Sequence, residues 1–229
     1  ILKTCHHRLL YDYRASNWYW KEGDTWHPMD EEVVRAIVDP SVQLLRRSSS
    51  VSYITLVMQL LEEKMRFIEW HNHPLDLPVE NGVVDLESQS LKNYSLRYRF
   101  NWQVPFDYDM DQKCPAFKKY LKDCTKGDKE LKGLIQAAMF AVLAGMGPKL
   151  QVFLELCGPG GTGKSLLVRV LEGLLDSSSI MSTDIKSLED NRFEAIGLLN
   201  ARLALINDSP KYGGELSVLK AATGGDLIR

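Results

Sequence analysis

The chain has 229 residues, 45% of them hydrophobic and 25% charged, with a formal net charge of −2. That is ordinary globular composition with room for one or two domains, and its near-neutral balance excludes a chain-wide basic surface for nucleic acid, so any DNA contact must be local. Cys5, Cys114, Cys124 and Cys157 form no C-x-x-C pair, which points to reduced thiols rather than a disulfide framework or a zinc site, and no apolar run is long enough to span a bilayer. The expected compartment is the cytoplasm. The chain begins at Ile1 without an initiator Met and ends at Arg229; both ends read as cuts in a longer protein.

In chain order, residues Tyr11 to Trp26 (YDYRASNWYWKEGDTW) alternate aromatic and polar positions around Gly23 and Asp24, which predicts a β-hairpin. Its aromatics suit base stacking as well as a packed core face, and strand propensity favours the core. Asp30 is expected to cap a short helix through Val38, with Glu31 and Glu32 in its first turn and Pro40 just beyond. Ser50 to Met65 places Ile54, Val57, Met58 and Leu61 at helical spacing.

From Phe67 the character changes. His71 and His73 flank Asn72, but no third ligand stands at a metal-binding spacing, so they read as turn or surface histidines. Residues Asn81 to Ser95 predict a second hairpin, and Val104 to Asp111 an acidic connection. Pro115 to Cys124 predicts a short helix whose Lys118, Lys119 and Lys122 form a solvated face. After the linker Thr125 to Asp128, an apolar helix from Leu131 to Met146 is expected to stop at Gly147 and Pro148.

The stretch CGPGGTGKSLLVRVLEGLL, Cys157 to Leu175, carries the strongest chemical signal. Gly158, four residues, Gly163, Lys164 and Ser165 fit G-x-x-x-x-G-K-[ST] without a mismatch. Gly158, Pro159, Gly160, Gly161, Thr162 and Gly163 would let backbone N–H groups turn around phosphate oxygens. Lys164 would reach the β and γ phosphates, Ser165 would ligate Mg²⁺, and the following helix would add its N-terminal dipole. Gln151 to Cys157 reads as a buried strand leading into this loop.

Hydrolysis needs an acidic group at the end of a neighbouring strand. Residues Ala201 to Asp208 (ARLALIND) supply one in Asp208; the elements between are expected to be a short strand, Ile180 to Thr183, and a helix, Arg192 to Leu199. In the last stretch, LKAATGGDLIR, Lys220 ends a helical run broken by Gly224 and Gly225, which places a cation beside a tight turn suited to phosphate.

From Phe67 onward, over about two thirds of the chain, the sequence resembles the primase-helicases of phages, plasmids and poxviruses, whose ATPase belongs to helicase superfamily 3. The carriers are NGVVDLESQSLKNYS, VPFDYDMDQKCPAFKKYL, FLELCGPGGTGKS, NRFEAIGLLNARLALIND and LKAATGGDLIR, in that order. The resemblance implies an α/β fold: an incomplete, AAA+-like P-loop NTPase over residues 128–229, preceded by an α+β, largely helical domain over residues 1–127. It also implies ATP and Mg²⁺ as cofactors, Lys164 and Asp208 as catalytic residues, and Ser165 and Asp208 as the metal-holding pair. Asp208 stands at the acidic Walker B position, where such proteins often carry Glu, and Asn207 takes a place acidic elsewhere in the superfamily. Lys220, Gly224, Gly225 and Asp226 match the third motif, which leads into the DNA-contacting hairpin. The partners implied are single-stranded or forked DNA, further copies forming a homo-hexamer, and a primase domain in the same chain. Two other readings fit the same residues: another P-loop DNA motor, or a nucleotide-locked oligomeric origin-binding and assembly module in which Asp208 is not catalytic.

Overall fold

The computed structural model describes residues 7–45, 51–67, 69–71, 73–95, 98–198, 201–207 and 212–226. Two compact units divide the chain, one taking Ile1–Asn72 with Tyr94–Trp102 and the other His73–Asn93 with Gln103–Arg229. Both mix helices with small sheets, so the fold is mixed α/β. No helix among the described residues is long and apolar enough to cross a membrane.

The first unit opens with an antiparallel meander, β1 (Leu9–Asp12), β2 (Asn17–Glu22) and β3 (Thr25–Met29), and β4 (Arg66–Phe67) joins β1 in parallel, giving the order β3-β2-β1-β4. Gly23, at φ +57°, and Asp24 form the two-residue turn between Glu22 and Thr25. The expected hairpin is therefore part of a larger sheet. Helices α1 (Glu31–Leu45) and α2 (Val51–Lys64) close over it, and Leu9, Trp18, Val34, Val38, Met58, Leu61 and Met65 make one buried cluster. Trp18, Tyr19 and Trp26 are 2%, 3% and 6% exposed, so these rings are core and present no open face to a base.

Helix α1 does not stop at Val38, as the proline after it predicts, but runs through Pro40. Proline removes one backbone donor and crowds the preceding turn, which disfavours a helix without forbidding it. Here Val34 and Val38 are fully buried, and Gln43 Nε2 donates to Asp39 Oδ2 at 2.9 Å, bridging the proline by an i,i+4 contact. At its start the Asp30 carbonyl accepts from Val33 and Val34 N–H groups at 3.0 and 3.2 Å. His71 is half-buried, with its ring edge-on to Tyr98 and Phe100 at 5.1 and 4.8 Å, rather than on an open turn.

The second unit begins with a three-stranded antiparallel sheet, β5 (Asp76–Val79), β6 (Gly82–Asp85) and β7 (Ser90–Lys92). The last two strands are the predicted hairpin. Strand β5 has no sequence signal of its own because Pro78 interrupts it; the proline is tolerated because β5 pairs fully only with β6, and on its other side meets, among the described residues, only an isolated bridge at Val104, whose N–H donates to the Pro78 carbonyl at 2.9 Å and so asks no N–H of the proline. His73 lies beside this sheet, 3.9 Å from the Asp76 carboxylate. Then come α3 (Pro115–Cys124) and α4 (Lys129–Leu143), the latter capped by Asp128, whose Oδ1 accepts the N–H groups of Glu130 and Leu131 at 2.9 and 3.1 Å. Lys118, Lys119 and Lys122 are exposed, as their face predicts. Helix α4 stops short of Gly147 and Pro148, as expected, ending at Leu143 with Ala144 as C-cap and Gly145 left-handed at φ +63°; Gly147 and Pro148 then start a separate turn, α5 (Gly147–Leu150), with proline in the first turn where its missing N–H costs nothing.

The run Gln151 to Cys157 is not a buried strand. It is irregular and pairs with no described strand, and Val152, Phe153 and Leu154 are 62%, 65% and 41% exposed. An apolar run records a tendency to burial, but a buried strand also needs an edge to pair with and layers on both faces. Beyond it lie α6 (Lys164–Gly173), a 3₁₀ turn (Ser177–Ser179), β8 (Ile180–Thr183), α7 (Ile185–Asp190), α8 (Arg192–Gly197), β9 (Leu203–Ile206) and α9 (Ser217–Gly224). Strands β8 and β9 pair in parallel, Ile180 opposite Leu203 and Thr183 opposite Ile206, joined by the α7–α8 crossover that parallel pairing requires.

Two predictions follow from the turns. Asp12, buried at the end of β1, accepts from Trp70 Nε1 at 3.0 Å and from the Arg14 and Ala15 N–H groups at 2.9 and 3.3 Å. Asp12→Ala should destabilise the chain by about 1–3 kcal/mol through the donors left unpaired, as measured by urea unfolding followed by tryptophan fluorescence. Asp85 sits at the β6–β7 turn, where the Lys92 ammonium and then the Ser88 and Glu87 N–H groups hold its carboxyl far below the usual carboxylate range. A depressed folded pKa stabilises above the unfolded value and loses that contribution as pH falls below it. Hairpin amide protection should therefore decline below the ordinary aspartate pKa of 3.8, and this decline should disappear in Asp85→Asn.

Candidate phosphate-binding loop

The loop's glycines meet a steric requirement. Gly161 and Gly163 lie at φ +77° and +93°, a region that residues with a Cβ rarely adopt. At Gly163 a side chain is excluded twice over, since a Cβ there would lie 2.9 Å from Cε2 of Tyr120. Gly163 is also the N-cap of α6 and brings no side-chain acceptor, so the helix start relies on its backbone.

The loop closes on the lysine that follows it. Lys164 Nζ donates to the Gly158 and Pro159 carbonyls, each at 2.8 Å, and lies 3.4 Å from Thr162 Oγ1. Thr162 Oγ1 in turn donates to the Pro159 carbonyl at 3.0 Å. The ammonium thus sits within the loop's own ring of oxygens, half-buried, at the amino end of a ten-residue helix. A fixed cation, flexible glycine peptides and a helix N-terminus together make an anion-binding arrangement. Ser165, in the first turn of α6, is exposed.

The helix below the loop is anchored. Leu167 packs with Leu121 of α3 and Ile135 of α4 in a buried cluster, ringed by Phe117, Tyr120, Cys124, Met139 and Leu156. Tyr120 reaches past this cluster and donates its hydroxyl to the Gly163 carbonyl at 2.9 Å. Sequence reading passes over Tyr120. Its only signal is its place beside Phe117 and Leu121 on the apolar face of a lysine-rich helix, and its loop partner is 43 residues away.

The remaining expected residues are spread more widely. Asp208 lies outside the described residues. Asn207 is exposed just beyond β9, which ends at Ile206 beside Thr183. Lys220 is exposed in the middle of α9 rather than at the end of a helix, and Gly225, at φ +72°, forms the helix's left-handed C-cap. Among the described residues no hydrogen bond joins Lys220 to the loop.

Helix α9 is instead tied to α7 by Glu189, a second residue that sequence reading misses. Its carboxylate accepts from Ser217 Oγ at 3.1 Å and from the Val218 and Leu219 N–H groups, each at 2.9 Å. Burial alone would push this carboxyl up, but the Leu219 and Val218 N–H groups and the Ser217 hydroxyl outweigh it and hold it below its usual value. This is an N-cap supplied from 28 residues away. Glu189→Ala should lower stability by about 1 kcal/mol, in the range of a lost cap, and hydrogen exchange should localise the loosening to α9.

A protein-family model described as D5 N terminal like matches residues 1–126, more than half of the 229-residue chain and extending through α3.

Proposed function

The chain belongs to the D5 N-terminal-like family, the N-terminal domain of primase-helicases, and from that membership we propose that it works in DNA replication as part of an ATP-dependent superfamily 3 helicase. The membership is consistent with a replication role. The observation that carries the finer reading is the loop: Lys164 clasped by the Gly158 and Pro159 carbonyls at the N-terminus of α6.

In this reading residues 128–229 belong to a P-loop ATPase. A nucleotide's phosphates would exchange for the loop carbonyls around Lys164, whose ammonium gains more from a multiply charged anion than from neutral peptide oxygens. Ser165, exposed in the first turn of α6, would hold Mg²⁺ together with Asp208, and Mg²⁺ would draw charge from the transferring phosphate. Asp208 or a neighbouring group would orient the attacking water. Lys220, on α9, would contribute to single-stranded DNA contact mainly through phosphate, and so without sequence preference. A hexameric ring of such chains would place the nucleotide between subunits.

The test is Mg²⁺-dependent ATP binding and hydrolysis, with and without single-stranded DNA. Lys164→Ala should weaken ATP binding at least about tenfold, the loss of one charge-assisted contact, and abolish DNA-stimulated turnover. Asp208→Asn should retain binding and lose turnover. Tight ATP binding that drives oligomer formation without DNA-stimulated turnover would replace the motor by a nucleotide-locked assembly module.

A further inference from the structure

The bond from Tyr120 to the loop is placed where it controls more than packing. Gly163's carbonyl and Lys164's N–H belong to one peptide group, which is planar and trans, so they point in opposite directions. Whatever fixes the oxygen on one side presets the N–H on the other. Three donors converge on that oxygen: the Leu166 and Leu167 N–H groups, at 3.0 and 3.1 Å, and the Tyr120 hydroxyl, at 2.9 Å. The first two come with the helix. Among the described residues Tyr120 is the one donor brought from another element, and its ring also lies against the Gly163 backbone, closing the space that a Cβ would need.

The helix that delivers Tyr120 has little freedom to withdraw it. The next residue, Leu121, is 1% exposed and packs on Leu167, which is 2% exposed and one turn into α6. A hydroxyl and a core leucine from adjacent positions of α3 thus hold the start of α6 at two points. Burial, with a smaller contribution from Cys124, pushes the Tyr120 hydroxyl up from its ordinary value, so at neutral pH it keeps the proton it donates.

We propose that Tyr120 is a positioning residue for nucleotide binding: by fixing the Gly163–Lys164 peptide it holds the phosphate loop ready for the phosphates, and it makes α3, within the family-matched segment, a determinant of nucleotide affinity. This rests on the nucleotide-binding reading of the loop. If Tyr120 acted only as a packed ring, phenylalanine would replace it without consequence for the loop.

The experiment uses the full chain and the variants Tyr120→Phe, Tyr120→Leu and Lys164→Ala. Titration calorimetry with Mg·ATPγS gives affinity, the melting midpoint without nucleotide gives stability, and the Lys164 amide resonance reports the peptide itself. The expected result is about five- to tenfold weaker binding in Tyr120→Phe, the size of one lost hydrogen bond. Its nucleotide-free melting midpoint should fall by no more than the few degrees that one hydrogen bond is worth, and its Lys164 amide resonance should be displaced. Tyr120→Leu, which also loses the ring, should bind at least as weakly. Wild-type affinity in Tyr120→Phe, an unmoved Lys164 amide, or an affinity loss that only follows a lowered melting midpoint would each overturn the positioning role while leaving the nucleotide reading intact. Failure of the wild-type chain to bind, with Lys164→Ala indistinguishable from it, would overturn both.

Discussion

One carbonyl oxygen, that of Gly163, receives the first turn of α6 and the Tyr120 hydroxyl together, and the loop's geometry depends on it. A glycine-rich loop has more backbone freedom than any other sequence, so its unaided ensemble would be broad and its N–H groups unaligned. Here it is held from both sides. Lys164 draws the Gly158 and Pro159 carbonyls inward, and Tyr120 holds the last glycine from outside. The buried leucines beneath make those contacts firm, since Leu121 and Leu167 belong to one packed cluster.

The same economy runs through the acidic residues. Asp12, Asp85, Asp128, Asp176 and Asp184, and with them the neutral Asn191, each accept a backbone N–H two or three residues further on, ending strands or starting helices. Glu189 does so across the chain, for α9. A part of the negative charge in the formal balance of −2 is therefore committed to local structure. Net charge consequently says little about partners, and the local electrostatics of the loop come from backbone, helix dipole and a single lysine.

The family-matched segment and the loop adjoin through α3. That helix reads as an ordinary lysine-rich amphipathic element, with Lys118, Lys119 and Lys122 in solvent. Its opposite face carries Phe117, Tyr120 and Leu121 into the packing below the loop. That face packs against the helix that follows the loop, and helix-to-helix packing tolerates little adjustment at a core leucine.

Local patterns alone were enough for the elements whose signals are short-range: the Gly23 turn, the β6–β7 hairpin, α2, α3, α6, the exact extent of β8, and the loop motif itself. These rest on turn chemistry, helical spacing and the rarity of positive φ outside glycine, all written within a few residues of each other. Tertiary structure decided the rest. It carried α1 through Pro40, started a new turn at Gly147 and Pro148, placed the proline-bearing β5 in a sheet, and left Val152, Phe153 and Leu154 exposed where their hydrophobicity predicts burial. It also selected Tyr120 and Glu189, residues with no motif. Their roles are contacts across 43 and 28 residues, and a hydrogen bond at that separation exists only once the packing of other elements has brought donor and acceptor within reach.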